Sequence, residues 1–337
     1  MTSRRLGDET ARAAERRAAL GDRARLRERG VVATPLAVAR HAVARTDALL
    51  QRALGVGLAS ERVVVIDPAL GTGVWLAALL EHTRDTGTKA RLIGFESDPD
   101  VIDQAHQVLA PEAAAQGAAL SLCCANTLEV ASPFPDRTSV RVILGNPPWA
   151  ARSLSRGGAL SDAWLSEFRR EHDGSPLDER RSGVLSDDYV RFFRWALEQA
   201  REGEAGALLC LASNASYLDG PVHRGMRAAL LRAFSQIEVL DLGGNSLVSR
   251  EAVRDDNVFG VRVGAAVTWA VRTQEPAPPP AEVSFAMLRG SLAEKTRALE
   301  CGVPTLSRHG VAGPWFRFRP TSPTALPAGF TLHEAFP

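Results

Sequence analysis

Asn146-Pro147-Pro148-Trp149 follows directly on the apolar run Val140-Arg141-Val142-Ile143-Leu144-Gly145. Its two prolines set the backbone and remove two amide donors, so a carbonyl of this turn and the Asn146 side-chain oxygen can face one small space as paired acceptors. A nitrogen carrying two protons matches that pair. Trp149 adds a flat apolar face on which a planar ring can stack, an interaction worth roughly 1–3 kcal/mol per base in nucleic-acid sites. The tetrapeptide reads as a holder for an aromatic amine. Its plainer reading is a proline-rich turn after a strand, with a tryptophan in the core.

A second group of residues could hold a nucleoside. Asp67-Pro68-Ala69-Leu70-Gly71-Thr72-Gly73 joins the apolar run Val63-Val64-Val65-Ile66 to the apolar stretch Val74 to Leu80. Strand, glycine loop and helix in that order let a backbone approach a ligand closely and aim helix N-terminal amides at it. Without a Gly-Lys-Ser/Thr ending or a full G-x-G-x-x-G pattern, the loop suits a nucleoside lacking a pyrophosphate; the alternative is a tight structural turn. Glu96 closes the next apolar run, Arg91 to Glu96, where such folds place the acid that grips ribose hydroxyls. Asn126 follows a third run, Leu120 to Cys124, where its side-chain oxygen could accept from an adenine amino group.

These residues all need strand ends to position them. Val142 to Leu144 supplies a fourth strand and puts Asn146 in the loop at its carboxyl end, where open α/β sheets carry their chemistry. Gly206 to Leu211, Ile237 to Leu242 and Val258 to Val271 read as three more strands. The last is expected to be antiparallel, because no crossover helix precedes it. Helices are expected over Leu36 to Val43, with Thr34 as cap and Pro35 in the first turn, and over Val101 to Leu109, Asp188 to Arg201 and Val222 to Phe234. The aromatic stripe of Tyr189, Phe192, Phe193 and Trp195 reads as core. The fold class is α/β, a seven-stranded sheet, mostly parallel with one antiparallel strand and helices on both faces.

Residues 150–187 carry Arg152, Arg156, Arg169, Arg170, Arg180 and Arg181 among Trp164 and Phe168, beside the expected site. A segment of this kind could close over a nucleic acid and contact phosphates, or be a solvated insert. Residues 1–29 read as a helical or loose arm, 30–272 as one catalytic domain, and 273–337 as a proline-rich linker and short extension carrying a strand at Val283 to Leu288 and a helix around Ala293 to Leu299.

With 337 residues, 45% hydrophobic and 23% charged, the chain has an ordinary globular composition. No apolar run reaches membrane-spanning length and the arginine-rich start lacks a signal peptide's apolar centre, so a cytoplasmic location is expected. A net charge of +1 does not by itself advertise a polyanion partner. Cys123, Cys124, Cys210 and Cys301 form neither a zinc spacing nor a disulfide framework, and the adjacent pair reads as buried thiols. His41, His106 and His223 show no metal-ligand spacing.

Taken in order, Thr34-Pro35, Asp67-Pro68-Ala69-Leu70-Gly71-Thr72-Gly73, Glu96, Asn126 and Asn146-Pro147-Pro148-Trp149 resemble the S-adenosylmethionine-dependent DNA adenine-N6 methyltransferases of the gamma arrangement. Asp241-Leu242-Gly243-Gly244-Asn245, Asp256-Asn257-Val258-Phe259 and Gly264-Ala265-Ala266-Val267 are similar to the methyltransferase part of type ISP restriction-modification and phage-defence enzymes. The resemblance spans about Gly30 to Val271 and implies a Rossmann-like class I methyltransferase fold, with S-adenosyl-L-methionine as cofactor and DNA as substrate. Thr34 and Pro35 would close the methionine end of the cofactor, and Asp67, Pro68, Ala69, Gly71 and Gly73 would surround its amino-acid part. Glu96 and Ser97 would serve the ribose and Asn126 the adenine ring. Asn146 would stand between cofactor and substrate, with Pro147, Pro148 and Trp149 completing the catalytic loop. Ala33 replaces the family's frequent aromatic residue, and Asn126 stands where aspartate is commoner.

Relatives continue into a target recognition domain that is not apparent here, which points to a possible separate recognition or defence-system subunit. The implied activity is methylation of adenine N6 in DNA. The alternatives are methylation of RNA or of a protein glutamine, or a non-catalytic binding subunit that needs a partner.

Overall fold

The computed structural model describes residues 6–10, 32–130, 133–149, 164–247, 254–275 and 280–320. Val63–Asp67 (β1), Arg91–Glu96 (β2), Ala119–Cys124 (β3), Val140–Gly145 (β4), Ala207–Asn214 (β5), Gln236–Gly243 (β6), Ala265–Arg272 (β7), Glu282–Met287 (β8) and Ser307–His309 (β9) form one sheet. Their order is β3-β2-β1-β4-β5-β7-β6-β8-β9. β7 runs antiparallel to both β5 and β6, as the missing crossover implied.

The expected seven strands with one antiparallel member are corrected to nine. β8 adds parallel to β6 and β9 adds antiparallel to β8. Without them β6 would leave a row of backbone donors and acceptors unpaired at the sheet edge; β8 covers it. The strand at Glu282–Met287 therefore belongs to the main sheet.

Central strands read as unbroken apolar runs because both faces of the sheet are covered. Val63, Val65, Val142 and Leu144 lie in one core with buried residues of the helices Leu36–Leu54 (α1), Val74–His82 (α2) and Pro99–Gln116 (α3). Their neighbours Val64, Ile66 and Ile143 lie in a second core with Asp188–Glu202 (α4) and Arg224–Ala233 (α5). Leu299 of Leu292–Cys301 (α6) joins the first core. A reciprocal Ser291–Glu294 capping box starts α6, satisfying two otherwise orphaned amides.

Three local expectations change. The cap of α1 is Pro35, with no side-chain cap bond, because the Thr34 hydroxyl is used elsewhere. The strand expected from Val258 begins only at Ala265. Asn257 curls the intervening segment into a loop: its Oδ1 accepts from Phe259 N at 2.8 Å and its Nδ2 donates to Val263 O at 2.7 Å. Cys123 is half-buried and Cys124 exposed rather than both buried, since β3 is the edge strand and is covered only in part. Among the described residues no helix is long and apolar enough to cross a membrane.

β1, β2 and β3 step outward in one direction, and β4 then lands on the other side of β1. That reversal leaves a crevice at the carboxyl ends of β1 and β4, the place where open α/β sheets bind ligands.

Candidate functional site

Asp67 is the last residue of β1 and is fully buried. Its Oδ1 accepts from the Ala69 amide at 3.1 Å, while Oδ2, also buried, has no hydrogen-bond partner. Burial pushes this carboxyl up to about 8, the Ala69 amide opposing and the nearby Glu96 charge adding to the rise. A buried carboxyl oxygen without a partner is costly, and once the group is ionised a ligand bearing a cationic or N–H donor could satisfy it. Gly145 permits this packing, for a Cβ there would stand 2.8 Å from Asp67 Oδ1.

The glycine loop is held from several sides. Gly71 and Gly73 have φ of +53° and +87°, a region that favours glycine. Leu70 N donates to Phe95 O at 2.8 Å, Gly71 N to Glu96 Oε2 at 3.1 Å, and Gly73 N to Leu70 O at 2.9 Å. Glu96 Oε1 also accepts from the amides of Ser97 and Asp98, at 2.8 and 3.0 Å. The acid is thus a buttress of the loop, and Oε2 retains a second lone pair. Ser97 itself is exposed.

The next loop joins the same edge. Ala125 N donates to Glu96 O at 2.9 Å, and the Thr127 hydroxyl donates to the buried Pro68 carbonyl. Asn126 caps a short 3-10 turn, its Oδ1 accepting from Leu128 N at 3.2 Å and its Nδ2 donating to Glu129 Oε1 at 2.9 Å.

On the other side of β1, Asn146 is buried and bonded at both ends of its amide, with one lone pair of Oδ1 left over. Its Nδ2 donates to Val32 O at 2.8 Å and to Thr34 Oγ1 at 3.2 Å. A carbonyl can only accept, so the Val32 contact identifies that atom as nitrogen and places Oδ1 at the other end of the amide. Trp149 Nε1 donates to this Oδ1 at 2.9 Å, which uses one of its two lone pairs. The Trp149 ring is 8% exposed and packs on Phe259, centroids 5.1 Å apart and planes tilted by 57°. Pro147 is buried and Pro148 half-buried. Thr34 Oγ1 also accepts from Trp75 Nε1 of α2, at 3.2 Å, so the Thr34-Pro35 turn bridges α2 and the Asn146 loop.

Of the arginine-rich stretch, 150–163, with Arg152 and Arg156, lies outside the described residues. Residues 164–187 are bound to α4 and α5 by charge pairs rather than left as a free insert. Arg201 grips Glu167 with two bonds of 2.7 Å, and Arg224 pairs with Glu171 at 2.6 Å and with Glu179. Leu165, Phe168 and Leu185 are buried beneath them, while Arg180 and Arg181 are exposed.

Two participants carried no signal in sequence: the Val32 carbonyl and Trp75 reach the site through contacts distant along the chain. Phe259 belongs to the Asp256-Asn257-Val258-Phe259 motif, but its place against Trp149 was not expected. Gly145 could have been found, since a glycine ending an apolar strand marks a close approach.

No family model matches the sequence, and no curated protein is significantly similar to it. Solved structures do share its fold. DrdV in complex with DNA superposes with a TM-score of 0.71 at 21% identity, covering 90% of this chain and 32% of that one. The type ISP restriction-modification enzyme LlaBIII bound to DNA gives 0.64 at 20%, covering 80% and 21%. A nuclease-deletion mutant of the type ISP enzyme LlaGI with a DNA substrate mimic gives 0.66 at 18%, covering 84% and 30%. The chain spans about a third or less of each of these proteins. At the level of the fold, the likeness to restriction-modification enzymes drawn from the motifs is shown.

Proposed function

We propose that this chain methylates the exocyclic N6 of adenine in DNA with S-adenosylmethionine as donor, as the methyltransferase part of a restriction-modification or phage-defence system. The observation that carries the reading is the orientation of Asn146: its nitrogen is held by Val32 and Thr34, so its oxygen is left as the acceptor. The shared fold with DNA-bound restriction-modification enzymes supports DNA as the partner. A cytoplasmic location is part of the same proposal.

The residues present fit the cofactor. Asp67 Oδ2 is an orphaned buried acceptor, suited to an α-ammonium group, and the loop Ala69–Gly73 offers backbone without side chains at Gly71 and Gly73. Pro68 shapes the entry to that loop, Thr34 and Pro35 close the methionine end, Glu96 and Ser97 take the ribose, and Asn126 takes the adenine ring. When bound, S-adenosylmethionine supplies a methyl group activated on a sulfonium leaving group.

Adenine's amine is a poor nucleophile because its lone pair is delocalised into the ring. Asn146 Oδ1, through its second lone pair, and the Pro147 carbonyl accept its two N–H bonds, which favours a pyramidal nitrogen and frees the lone pair. Pro148 keeps that carbonyl rigid. No strong base is required before attack: the new N–C bond would form as the donor's S–C bond breaks, leaving a neutral thioether, and the surplus proton then passes from the amine to water. In-line alignment supplies much of the acceleration. The base must be flipped out of the duplex to reach the loop. Trp149 steadies Asn146 through its indole N–H; stacking on the flipped base requires its ring to exchange Phe259 for the substrate.

The test is incubation with methyl-labelled cofactor and, separately, DNA, RNA and protein, with adenine modification mapped in the DNA. N6-methyladenine is the expected product. Label confined to RNA or protein would replace the substrate. Cofactor binding without any transfer, reversed on adding a recognition subunit, would make the chain dependent on that partner.

A further inference from the structure

The glycine loop has one restraint that comes from outside the strands and loops of the site. Residues 6–10 are helical and lie against α1 and α2, with Leu6 and Thr10 buried. Gly7 N donates to Glu81 Oε1 of α2 at 2.8 Å, and Arg40 Nε of α1 donates to the other oxygen of the same carboxylate at 2.9 Å. The approach is so close that a Cβ on Gly7 would stand 2.6 Å from Leu36 Cδ1. At the end of this segment the Thr72 hydroxyl donates to the Thr10 carbonyl at 3.0 Å, both atoms buried. A hydroxyl has a single proton to give, so the Thr72 side chain is committed to this bond.

Thr72 sits between two glycines in left-handed conformations. Glycines retain the most backbone freedom of any residue, so the shape of such a loop depends on the bonds that tie it down. Most of those bonds come from its own chain neighbourhood, from the end of β2 or from the loop after β3. Another comes from Thr10, 62 positions away.

We infer that residues Leu6–Thr10 are a positioning element of the cofactor site, in which the Thr10 carbonyl anchors Thr72 and thereby the ligand-facing shape of Gly71-Thr72-Gly73. This rests on the proposed cofactor reading, since a positioned loop matters for binding only if a ligand uses it. Neither end of the contact is visible from motif spacing: Thr10 lies in the stretch that sequence reads as a loose arm.

The test uses the full chain with Thr72→Val, which keeps the volume and removes the donor, and Thr72→Ser, which restores it. Two measurements are made on each. Amide hydrogen exchange of the cofactor-free protein reads loop order directly: Thr72→Val should lose protection at Gly71 to Val74 and Thr72→Ser should regain it. Calorimetric titration with S-adenosylmethionine should show a roughly three- to tenfold weaker affinity for Thr72→Val, the factor that one net hydrogen bond represents, and near-native affinity for Thr72→Ser. Unchanged exchange in Thr72→Val overturns the positioning role whatever the cofactor does. Altered exchange with unchanged affinity overturns the link to the cofactor. A wild-type chain that orders its loop through Thr72 but does not bind S-adenosylmethionine overturns both this inference and the function on which it rests.

Discussion

Nδ2 of Asn146 lies 2.8 Å from the carbonyl oxygen of Val32, a contact across 114 positions of sequence. An amide can be turned either way; this contact, with the Thr34 hydroxyl, decides which end of Asn146 accepts hydrogen bonds on the opposite side.

Asn146→Ala removes the acceptor and should lower kcat by at least about a hundredfold, the scale of losing one preorganised polar contact at a reacting centre. Cofactor affinity should largely survive, as read by calorimetry beside the transfer assay. Asn146→Asp supplies a second oxygen opposite the Val32 carbonyl and should also fail. Wild-type turnover in Asn146→Asp would remove the orienting role given to Val32.

On the proposed reading, Asp67 should make cofactor binding depend on pH. Its carboxyl stands at about 8 in the folded protein against 3.8 for an ordinary aspartate, so the folded state holds the proton more tightly and stability declines as pH rises from about 4 to about 8. An ammonium ligand favours the ionised form, so binding should release a proton and tighten as pH rises toward about 8, where an α-amino group itself begins to deprotonate. Calorimetry in two buffers of different ionisation enthalpy counts that proton. Asp67→Asn should bind more weakly and without the pH dependence; an unchanged affinity would contradict the assignment.

Trp149→Phe keeps an aromatic ring against Phe259 but deletes the N–H that reaches Asn146 Oδ1. Stability to urea should fall by about 0.5–1.5 kcal/mol. Turnover should fall more than cofactor affinity, because the missing bond acts on the amine-holding loop. Equal losses in both would assign Trp149 to the core alone.

Lys295 of α6 has no exposed side-chain surface and donates to Leu242 O at 2.6 Å, to Asp256 O at 2.7 Å and to the Asp255 carboxylate at 2.6 Å. Asp255 in turn accepts from Gly244 N at 2.7 Å, which ties α6 to the loop after β6. Lys295→Met strands a buried carboxylate and should destabilise the chain by about 3–5 kcal/mol in denaturant unfolding. Adding Asp255→Asn should recover part of that loss; a double variant as unstable as the sum of the two singles would show that the pair is not coupled.

The strand ends that carry the candidate site could be read from the sequence. Strands with both faces covered are apolar throughout, so β1, β2 and β4 stood out, and each delivers a polar residue just where its apolar run stops: Asp67, Glu96 and Asn146. Chain order also implied that β7 reverses, since no helix was available to carry it across. The segment 258–264 was misread because its apolar residues mimic a strand, while Asn257 takes over a backbone donor and a backbone acceptor that a strand would have paired. β8 and β9 were recognisable only as a stray strand and nothing, because pairing partners are set by which edge is open.

What the linear order of residues determined was the set of chemical groups and the strand ends that bear them, since hydrophobic period and glycine or proline punctuation are local properties. Only the folded chain decided that Asp67 would keep an unpartnered oxygen, that Trp149 would bond Asn146, and that Val32 and Thr10 would brace the two halves of the site. Those relations join residues far apart in sequence, and a hydrogen bond between distant residues depends on packing geometry that no local pattern encodes.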